Sequence, residues 1–322
     1  MQRWEDLSDV EAGFGPSVVT IGNFDGVHRG HAAVLGTVVD LARSRGLSSV
    51  AVTFDPHPLQ VLHPERAPGL ITGLERRLDL MAGTGLDAVL VMPFTRELAA
   101  WSPERFVRDV FVTALRAQVV VVGHDVRFGQ GNAGDLGTVR ELGSRWGFEV
   151  EVLTDLGDRG APQRWSSTAV RAALADGEVE RAAQVLGHPH RVTSTVVHGD
   201  HRGRELGYPT ANLDTATAQG LVPADGVYAG WLTRASGQRL AAAVSIGTNP
   251  TFDGERRQLE AYCLSGQPGV GPGLDLYGER VDLDLVARLR PTLRFEGVEA
   301  LVEQMERDVA TCRELLLGPG RP

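Results

Sequence analysis

The chain has 322 residues, of which 42% are hydrophobic and 23% charged, and its formal net charge is -9. This length predicts two domains, and an acidic chain without basic runs argues against general binding to nucleic acid or anionic membranes. Because no apolar run of membrane length and no basic-then-apolar N-terminal segment is present, we expect a cytoplasmic protein without membrane contact.

All 32 basic residues are arginine. The absence of lysine excludes a phosphate loop that ends in lysine, a Schiff-base lysine and a lysyl-nucleotide intermediate. Any phosphate must therefore be held by arginine, histidine, backbone amides or metal. The two cysteines, Cys263 and Cys312, lie far apart and lack metal-ligand spacing, so we expect both to be core residues in a reducing compartment.

In the first part of the chain, up to about Gly187, apolar strand-like runs alternate with helical patterns. The helical segments between the runs are HAAVLGTVVDLARSRG, LERRLDLMAG and PERFVRDVFVTAL. This alternation predicts an α/β domain with a Rossmann-like parallel sheet. The runs, in chain order, are SVVTIG, SSVAVTF, DAVLVM, QVVVVG and FEVEVL.

After this region the pattern changes to short alternating segments separated by turn residues, which predicts a small antiparallel β-barrel. A terminal helix follows, and its apolar face should pack on the barrel. We place the domains at residues 1–186 and 187–322. The apolar positions of the helix are Val298, Leu301, Val302, Met305, Val309 and Leu316.

The segment GNFDGVHRGH, Gly22 to His31, follows the apolar run SVVTI and contains two histidines. Zinc would need a third and a fourth ligand, and Asp25 is the only nearby candidate. In a structural interpretation the glycines build a turn and the histidines cap a helix or lie in the core. The position between a strand and a helix favours phosphate, because glycine lets the backbone approach it closely and the two histidines can donate hydrogen bonds to it.

Further segments follow this motif in a recognisable order. With TFDPHP, VVVVGHDVRFG and RWSSTAVR, it resembles the nucleotidyltransferase half of bacterial bifunctional riboflavin kinase/FMN adenylyltransferases, the FAD synthetases. The later segments GDHRGRELGYPTANL, GVYAG, SIGTNPTF and LEAY, followed by DLYG, resemble the riboflavin kinase module of that family. The resemblance covers nearly the whole chain. It implies ATP-dependent phosphorylation of riboflavin to FMN, and adenylylation of FMN to FAD with release of pyrophosphate.

The resemblance also implies roles for individual residues of the first half. His28 and His31 would contact the ATP phosphates, helped by backbone amides near Gly22 and Gly30. Ser167 and Arg171, assisted by Arg164, would hold the leaving pyrophosphate. The FMN side would involve His57, Asp125 and Phe128. Considered alone, Ser167 could equally be a helix cap, and Arg171 a solvated side chain.

Riboflavin phosphorylation requires magnesium, a loop over the phosphates and a carboxylate that takes the proton of the 5′-hydroxyl. The resemblance assigns Mg²⁺ to Thr210 and Asn212, the catalytic carboxylate to Glu260, and the phosphate loop to the segment around Gly203. Without the resemblance, PTAN is ordinary turn chemistry, and Glu260 would be a solvent-facing residue of an alternating strand.

The segment GQGNAG, Gly129–Gly134, fits the G-x-G-x-x-G fingerprint of dinucleotide-binding dehydrogenases. However, the residues HDVRF separate it from its strand, whereas the fingerprint needs a tight turn directly after the first strand of the domain. A dehydrogenase would also leave the barrel half unexplained, so it is the weaker alternative.

The chain departs from the family pattern at Val126, Asn132 and Ser194, where an aromatic residue, a basic residue and a nearby glycine are usual. These positions bear on FMN affinity and on the geometry of the phosphate loop. The loop SGQPGVGPGLD, residues 265–275, is longer than typical. We expect it to affect closure over riboflavin without removing Glu260.

The expected ligands are small molecules: ATP as co-substrate, riboflavin, FMN and FAD as substrates and products, and Mg²⁺. We expect a monomer or a weak homo-oligomer. The alternative is that one module is degenerate and only binds flavin or regulates. Against it, the residues that such a module would lose are all present: His28, His31, Thr210, Asn212 and Glu260.

Overall fold

The structure is a computed structural model. It describes residues 1–153, 165–199, 207–251, 254–268, 270–271 and 274–318. The chain divides into two compact units. The first unit comprises Met1–Pro68 and Leu74–Ser166, and the second comprises Gly69–Gly73 and Ser167–Pro322.

The first unit contains a six-stranded sheet with the order β1-β4-β3-β2-β5-β6, in which all neighbouring strands are parallel. The prediction of a Rossmann-like parallel sheet is therefore confirmed. Strand β1 was not predicted, because three residues are too few to show a pattern. The strands are β1 Gln2–Trp4, β2 Ser17–Ile21, β3 Ser48–Asp55, β4 Ala88–Pro93, β5 Ala117–Gly123 and β6 Glu149–Leu153.

Helices connect these strands, and polar caps define several of their ends. Helix α6 begins after Asp135, whose side chain accepts a hydrogen bond from Thr138 N, and ends at Gly147 with a φ of 80°. Helix α5 continues into a π-helix over Val107–Ala114. The helices are α1 Arg29–Arg45, α2 Pro58–Leu62, α3 Leu74–Ala82, α4 Arg96–Ala99, α5 Pro103–Phe106 and α6 Leu136–Trp146.

The sheet is buried on both faces, as a parallel sheet covered by crossover helices must be. Val18 and Val19 illustrate this, since both are fully buried but belong to different hydrophobic clusters. The cluster of Val18 includes Leu35 of α1, and the cluster of Val19 includes Phe111 of the π-helix. Continuous apolar runs, rather than alternating ones, therefore form these strands.

The second unit contains a closed antiparallel barrel with the strand order β10-β11-β8-β7-β12-β9, which confirms the predicted barrel. Two helices precede it, α7 Ser167–Ala175 and α8 Val179–Leu186. The predicted domain boundary after residue 186 falls at the end of α8, whereas the compact units divide between Ser166 and Ser167, so that α7 and α8 belong to the second unit. The strands are β7 His190–Val197, β8 Ala211–Leu213, β9 Gly226–Arg234, β10 Arg239–Thr251, β11 Gly254–Cys263 and β12 Arg280–Arg290.

Helix α9, Val298–Leu317, packs on the barrel as predicted. Cys312 and Leu316 join a buried cluster with Ala229 of β9 and Ala241 of β10. Val298 instead has 59% of its surface exposed, so the first turn of the helix does not contribute to the core. None of the helices in the described ranges combines the length and apolar character needed to cross a membrane.

Candidate active sites

In the first unit, the topology of the sheet selects one place for a ligand. Strand β2 pairs with β3 on one side and with β5 on the other. Strands β3 and β4 extend the sheet in one direction from β2 and strands β5 and β6 in the other, so the strand order reverses beside β2. Ligands of open α/β sheets bind outside the carboxyl ends of the strands at such a reversal. The segment after β2 carries the two histidines, and the segment after β5 carries Asp125 and Phe128.

The two histidines lie at the start of α1. His28 is the N-cap residue, and its Nδ1 accepts a hydrogen bond from His31 N over 3.3 Å. The two rings stack with centroids 3.7 Å apart and an interplanar angle of 20°. The capping role and the phosphate role of His28 are therefore compatible, since His28 caps a helix whose N-terminus favours anions.

Burial determines the protonation of His31. Desolvation lowers its pKa well below the usual 6.5, and the charge of His28 lowers it further. Within the described residues, His31 Nδ1 is buried and has no hydrogen-bond partner. At neutral pH His31 is thus an uncharged imidazole, and the hydrogen-bonding capacity of its Nδ1 is not used by the part of the chain that the structure describes.

The backbone between β2 and α1 is tightly constrained. A Cβ atom at Gly30 would lie 3.1 Å from the His28 ring, so glycine is what allows the ring to lie against the helix. Phe24 and Val27 adopt positive φ values of 48° and 39°, which non-glycine residues rarely do. Such strained conformations concentrate at functional sites, where the surrounding structure maintains them.

A cavity of about 810 Å³, in the size range of small-molecule sites, is lined by Gly22 and Asn23 of this segment but not by His28 or His31. It brings together Gly22, His57, Asp125 and Phe128, which the family resemblance assigns to phosphate or flavin binding. Three phenylalanines that line it were not predicted, although the quoted segment TFDPHP contains the first. They are Phe54, Phe94 and Phe106.

The departures from the family pattern at Val126 and Asn132 also line this cavity. The G-x-G-x-x-G segment folds back on itself here: Phe128 and Gly134 exchange backbone hydrogen bonds of 3.1 and 2.9 Å. Helix α6 begins only at Leu136. The segment therefore forms a closed loop at the cavity rather than the strand-to-helix turn of a dinucleotide site.

The remaining phosphate-binding candidates divide between two groups. Arg164 and Gly203 lie outside the described residues. Ser167 is the first residue of α7, and Arg171 on the same helix donates from Nε to Gly69 O over 2.9 Å. Both belong to the second compact unit.

In the barrel, the three kinase candidates meet on two neighbouring strands. Glu260 of β11 pairs directly with Asn212 of β8. Thr210, just before β8, donates from Oγ1 to Glu260 Oε2 over 3.2 Å. Glu260 is half-buried rather than freely exposed. The structure thus brings together a hydroxyl group, an amide group and a carboxylate on neighbouring parts of the barrel.

A second cavity, of about 310 Å³, adjoins this group and is lined by Thr210, Ala261 and Cys263. Val270 and Leu274 of the long loop 265–275 also line it. Tyr277 contributes to the wall and was not predicted, although the quoted segment DLYG contains it. Its ring stacks on His198 with centroids 4.0 Å apart.

No cluster of three or more histidine, cysteine, aspartate or glutamate side chains that could hold a metal occurs within the described ranges. The zinc alternative for His28 and His31 therefore receives no support there. Both cysteines are buried and unpaired, as predicted. Burial raises the pKa of Cys263 to about 11 and that of Cys312 to about 12, so neither thiol is activated.

Comparisons with known proteins also distinguish two parts of the chain. The sequence model of FAD synthetase matches residues 11–169, and that of riboflavin kinase matches residues 186–316. A solved structure from Streptococcus pneumoniae, titled macrolide-efflux protein, covers 97% of this chain and 98% of its own, with a TM-score of 0.83 and 30% identity. That likeness concerns the fold.

Three bifunctional riboflavin kinase/FMN adenylyltransferases are similar along most of their length. The Escherichia coli K12 protein is 38% identical, with coverage of 92% of each chain. The Listeria monocytogenes protein is 36% identical, with coverage of 97% of this chain and 93% of its own. The Bacillus subtilis protein is 34% identical, with coverage of 91% and 90%, respectively.

A parallel α/β unit joined to a closed β-barrel, with both family matches, defines a two-module transferase of flavin nucleotide synthesis. The chain belongs to the bifunctional riboflavin kinase/FMN adenylyltransferase family. It phosphorylates riboflavin to FMN with ATP, and it adenylylates FMN to FAD with release of pyrophosphate. Its substrates and products are therefore ATP, riboflavin, FMN and FAD.

Proposed function

We propose that residues 1–186 carry the FMN adenylyltransferase activity and residues 187–322 the riboflavin kinase activity. The assignment is supported by the two family matches, of which the first ends at residue 169 and the second begins at residue 186. The observation that carries the first half is the stacked histidine pair at the start of α1, in the segment whose first residues, Gly22 and Asn23, line the cavity at the sheet reversal.

Adenylyl transfer needs no protein nucleophile. An oxygen of the FMN phosphate attacks the α-phosphorus of ATP, the bond to the bridging oxygen of the β-phosphate breaks, and pyrophosphate leaves. The protein aligns the reactants and stabilises the developing charge. His28 and His31 contact the ATP phosphates, while Gly22 and Gly30 leave the backbone amides accessible. The neutral imidazole of His31 donates or accepts a hydrogen bond without adding charge.

The flavin of FMN occupies the larger cavity, against His57, Asp125 and Phe128. The further phenylalanines of the cavity wall favour a flat aromatic ligand, because offset or edge contacts between rings are stabilising. Ser167 and Arg171, with Arg164, hold the leaving pyrophosphate. Arginine suits this role because its planar fork donates two hydrogen bonds to phosphate oxygens.

In the kinase module, the 5′-hydroxyl of riboflavin attacks the γ-phosphorus of ATP, its proton passes to the Glu260 carboxylate, and ADP leaves. A general base must lie within hydrogen-bond reach of its proton. The bond from Thr210 orients the Glu260 carboxylate in the structure. The loop around Gly203 covers the phosphates.

The donor set in the barrel fits Mg²⁺, which prefers a few hard oxygen ligands and retains several waters. The Thr210 hydroxyl and the Asn212 amide oxygen are such ligands, and the Asn212 side chain lies so close to Gly199 that a Cβ there would clash. Bound Mg²⁺ would neutralise phosphate charge. Thr210 and Asn212 would hold it, and we propose that both activities require it.

We also propose that the enzyme is a cytoplasmic monomer or weak homo-oligomer that binds no nucleic acid. The net charge of -9 disfavours association with polyanions. Sedimentation at several protein concentrations would test the oligomeric state.

The main test incubates the purified full-length protein with riboflavin, ATP and Mg²⁺, and separates the three flavins over time. FMN should appear first and FAD afterwards. In His28→Ala the two-step reaction should stop at FMN. Glu260→Gln should leave riboflavin unchanged but still convert added FMN to FAD. His188→Ala, outside both sets of site residues, serves as the matched histidine control.

Each half of the assignment can fail separately. FAD formation by His28→Ala at the rate of the unmodified enzyme would overturn the role of the histidine pair. Phosphorylation of riboflavin by Glu260→Gln at the original rate would overturn the role of the carboxylate.

A further inference from the structure

Arg77 lies on α3 and is buried, with 3% of its surface exposed. Its Nη1 donates to Asn23 O over 3.0 Å, and its Nη2 donates to Phe54 O over 2.9 Å. Nη2 also lies 3.5 Å from the Asp55 carboxylate. One guanidinium therefore bonds to two separate chain segments.

These two segments carry the residues proposed to bind the two substrates, ATP and FMN. Asn23 belongs to the segment between β2 and the histidine pair, and Phe54 lies near the end of β3, just before His57. The segments also touch each other. Thr53 Oγ1 donates to Asn23 O over 3.3 Å, and the Asn23 side chain lies 3.2 Å from His57 Nε2. Arg77, Thr53 and His57 are therefore linked in a small network of hydrogen bonds, and each of the three bonds to Asn23.

The burial of Arg77 has an energetic cost that a packing role does not require. Desolvation lowers its pKa, and the nearby carboxylates of Asp55 and Asp25 oppose that effect. Within the described residues its Nε is buried without a hydrogen-bond partner. A buried cation with one long ion-pair contact is expensive, and an apolar side chain of similar volume would avoid the cost.

The geometry of the guanidinium accounts for its presence. Its planar fork presents donors in fixed directions, so one side chain can bond to two carbonyl oxygens on different segments at once. A lysine at this position would keep the charge, but its point-like ammonium would fix the two carbonyls less well.

We propose that Arg77 is a positioning residue for adenylyl transfer, which holds the segment of the ATP-binding histidines in register with the segment of the flavin-binding His57. The inference rests on the proposed function of the first module. Arg77 touches neither substrate; it sets the distance between the two segments that do. Transfer is sensitive to this distance, since a misplacement of about 1 Å can reduce a rate by about 10²-fold.

The test compares Arg77→Met and Arg77→Lys with the unmodified enzyme in the full-length chain. The quantities are kcat and KM for FAD formation from FMN and ATP, and the Kd and stoichiometry of FMN binding from flavin fluorescence. Riboflavin phosphorylation is measured in the same samples. Arg45→Met is the matched control, because it removes an exposed guanidinium of the same unit that pairs with Glu149.

We expect Arg77→Met to lower kcat by about 10²-fold while FMN still binds at full stoichiometry with little change in Kd. Arg77→Lys should recover part of kcat, and riboflavin phosphorylation should not change in either variant. An unchanged kcat would overturn the inference. So would a fall in kcat matched by an equal fall in FMN stoichiometry, because that result indicates a structural role alone.

Two further measurements keep the result interpretable. Should Arg77→Met fail to accumulate as folded protein, Arg77→Lys decides: a lowered kcat with retained FMN binding supports the inference, and an unchanged kcat contradicts it. His28→Ala is assayed alongside. Retained FAD formation in His28→Ala would refute the proposed function, whereas its loss combined with normal turnover in both Arg77 variants would refute only the positioning role.

Discussion

Thr210 Oγ1 donates a hydrogen bond to Glu260 Oε2 over 3.2 Å, although fifty positions separate the two residues in sequence. They meet because β8 and β11 pair antiparallel, with Asn212 directly opposite Glu260. The proposed magnesium-holding residues and the proposed base therefore depend on the register of a single strand pair. A slip of one residue would turn Glu260 to the other face of the barrel wall.

Replacing Glu260 by glutamine should remove the base but keep the size and the hydrogen bond to Thr210. We expect kcat for riboflavin phosphorylation to fall by about 10²- to 10⁴-fold, the usual contribution of a general base. Conversion of added FMN to FAD should be unaffected. Glu314→Gln changes an exposed glutamate of the same unit and should retain both activities; equal losses in the two variants would contradict the assignment.

Thr210→Val should weaken the proposed magnesium site, because it replaces a hydroxyl by a methyl group of similar volume. The Mg²⁺ concentration that half-activates riboflavin phosphorylation should rise by at least about tenfold, a typical loss when a metal site is disturbed. Thr210→Ser keeps the hydroxyl and should need much less additional Mg²⁺. A titration of kinase rate against Mg²⁺ in both variants measures the difference, and identical curves would exclude the role.

The lowered pKa of His31 makes the first unit sensitive to acid. The unfolded chain takes up a proton on this histidine near the usual pKa of 6.5, while the folded unit resists protonation until well below it. The free energy of unfolding should therefore fall as pH drops through this window, and should be fully restored above it. In calorimetry, His31→Gln should lose less thermal stability than the unmodified enzyme between about pH 7.5 and about pH 5.5.

His124→Gln, a change at an exposed histidine of the same unit, is the control for this measurement. It should keep the acid sensitivity of the unmodified enzyme. Identical pH profiles for His31→Gln and the unmodified enzyme would show that burial of His31 does not cause the effect.

Arg290 and Asp308 form a largely buried pair that joins β12 to α9, with 15% and 9% of their side chains exposed. The guanidinium donates from Nε and Nη2 to the Asp308 carboxylate, the shortest contact being 2.7 Å. Arg290→Met leaves this carboxylate buried without its cation, which should cost about 3–5 kcal/mol and lower the unfolding midpoint by roughly 10 °C. Arg181→Met, which removes an exposed pair with Glu178, should cost less than about 1 kcal/mol.

The two thiols should be inert in the folded enzyme. Because burial raises the pKa of Cys263 to about 11 and that of Cys312 to about 12, almost no thiolate is present near neutral pH. Mass spectrometry after brief iodoacetamide treatment should find both unmodified, and both alkylated once the protein is unfolded in urea. Rapid alkylation of Cys263 in the native enzyme would indicate that the smaller cavity is more open than the structure shows.

The longer strands and helices were predictable because their burial appears directly in the sequence. Runs such as QVVVVG have no polar alternation, as expected for a sheet covered on both faces, and the barrel strands show the alternation of a one-sided surface. Strand β8 was not predicted, since PTANL offers only three strand residues and its composition also suits a turn.

The histidine pair could be placed from its position between a strand and a helix, which is a local property. The bond from Thr210 to Glu260 could not, because strand register depends on distant parts of the chain. Arg77 escaped prediction for a similar reason. In LERRLDLMAG it follows another arginine on an amphipathic helix, and nothing local shows which of the two is buried.

Each compact unit has its own hydrophobic core, so a destabilising substitution in one core should affect the reaction of that unit first. If the two activities divide between the units as proposed, a destabilising change beneath the parallel sheet would spare the formation of FMN and abolish the formation of FAD. The same change inside the barrel would interrupt supply one step earlier, and a source of FMN from outside the enzyme would bypass it. The two kinds of defect would then be distinguishable by whether added FMN restores the formation of FAD.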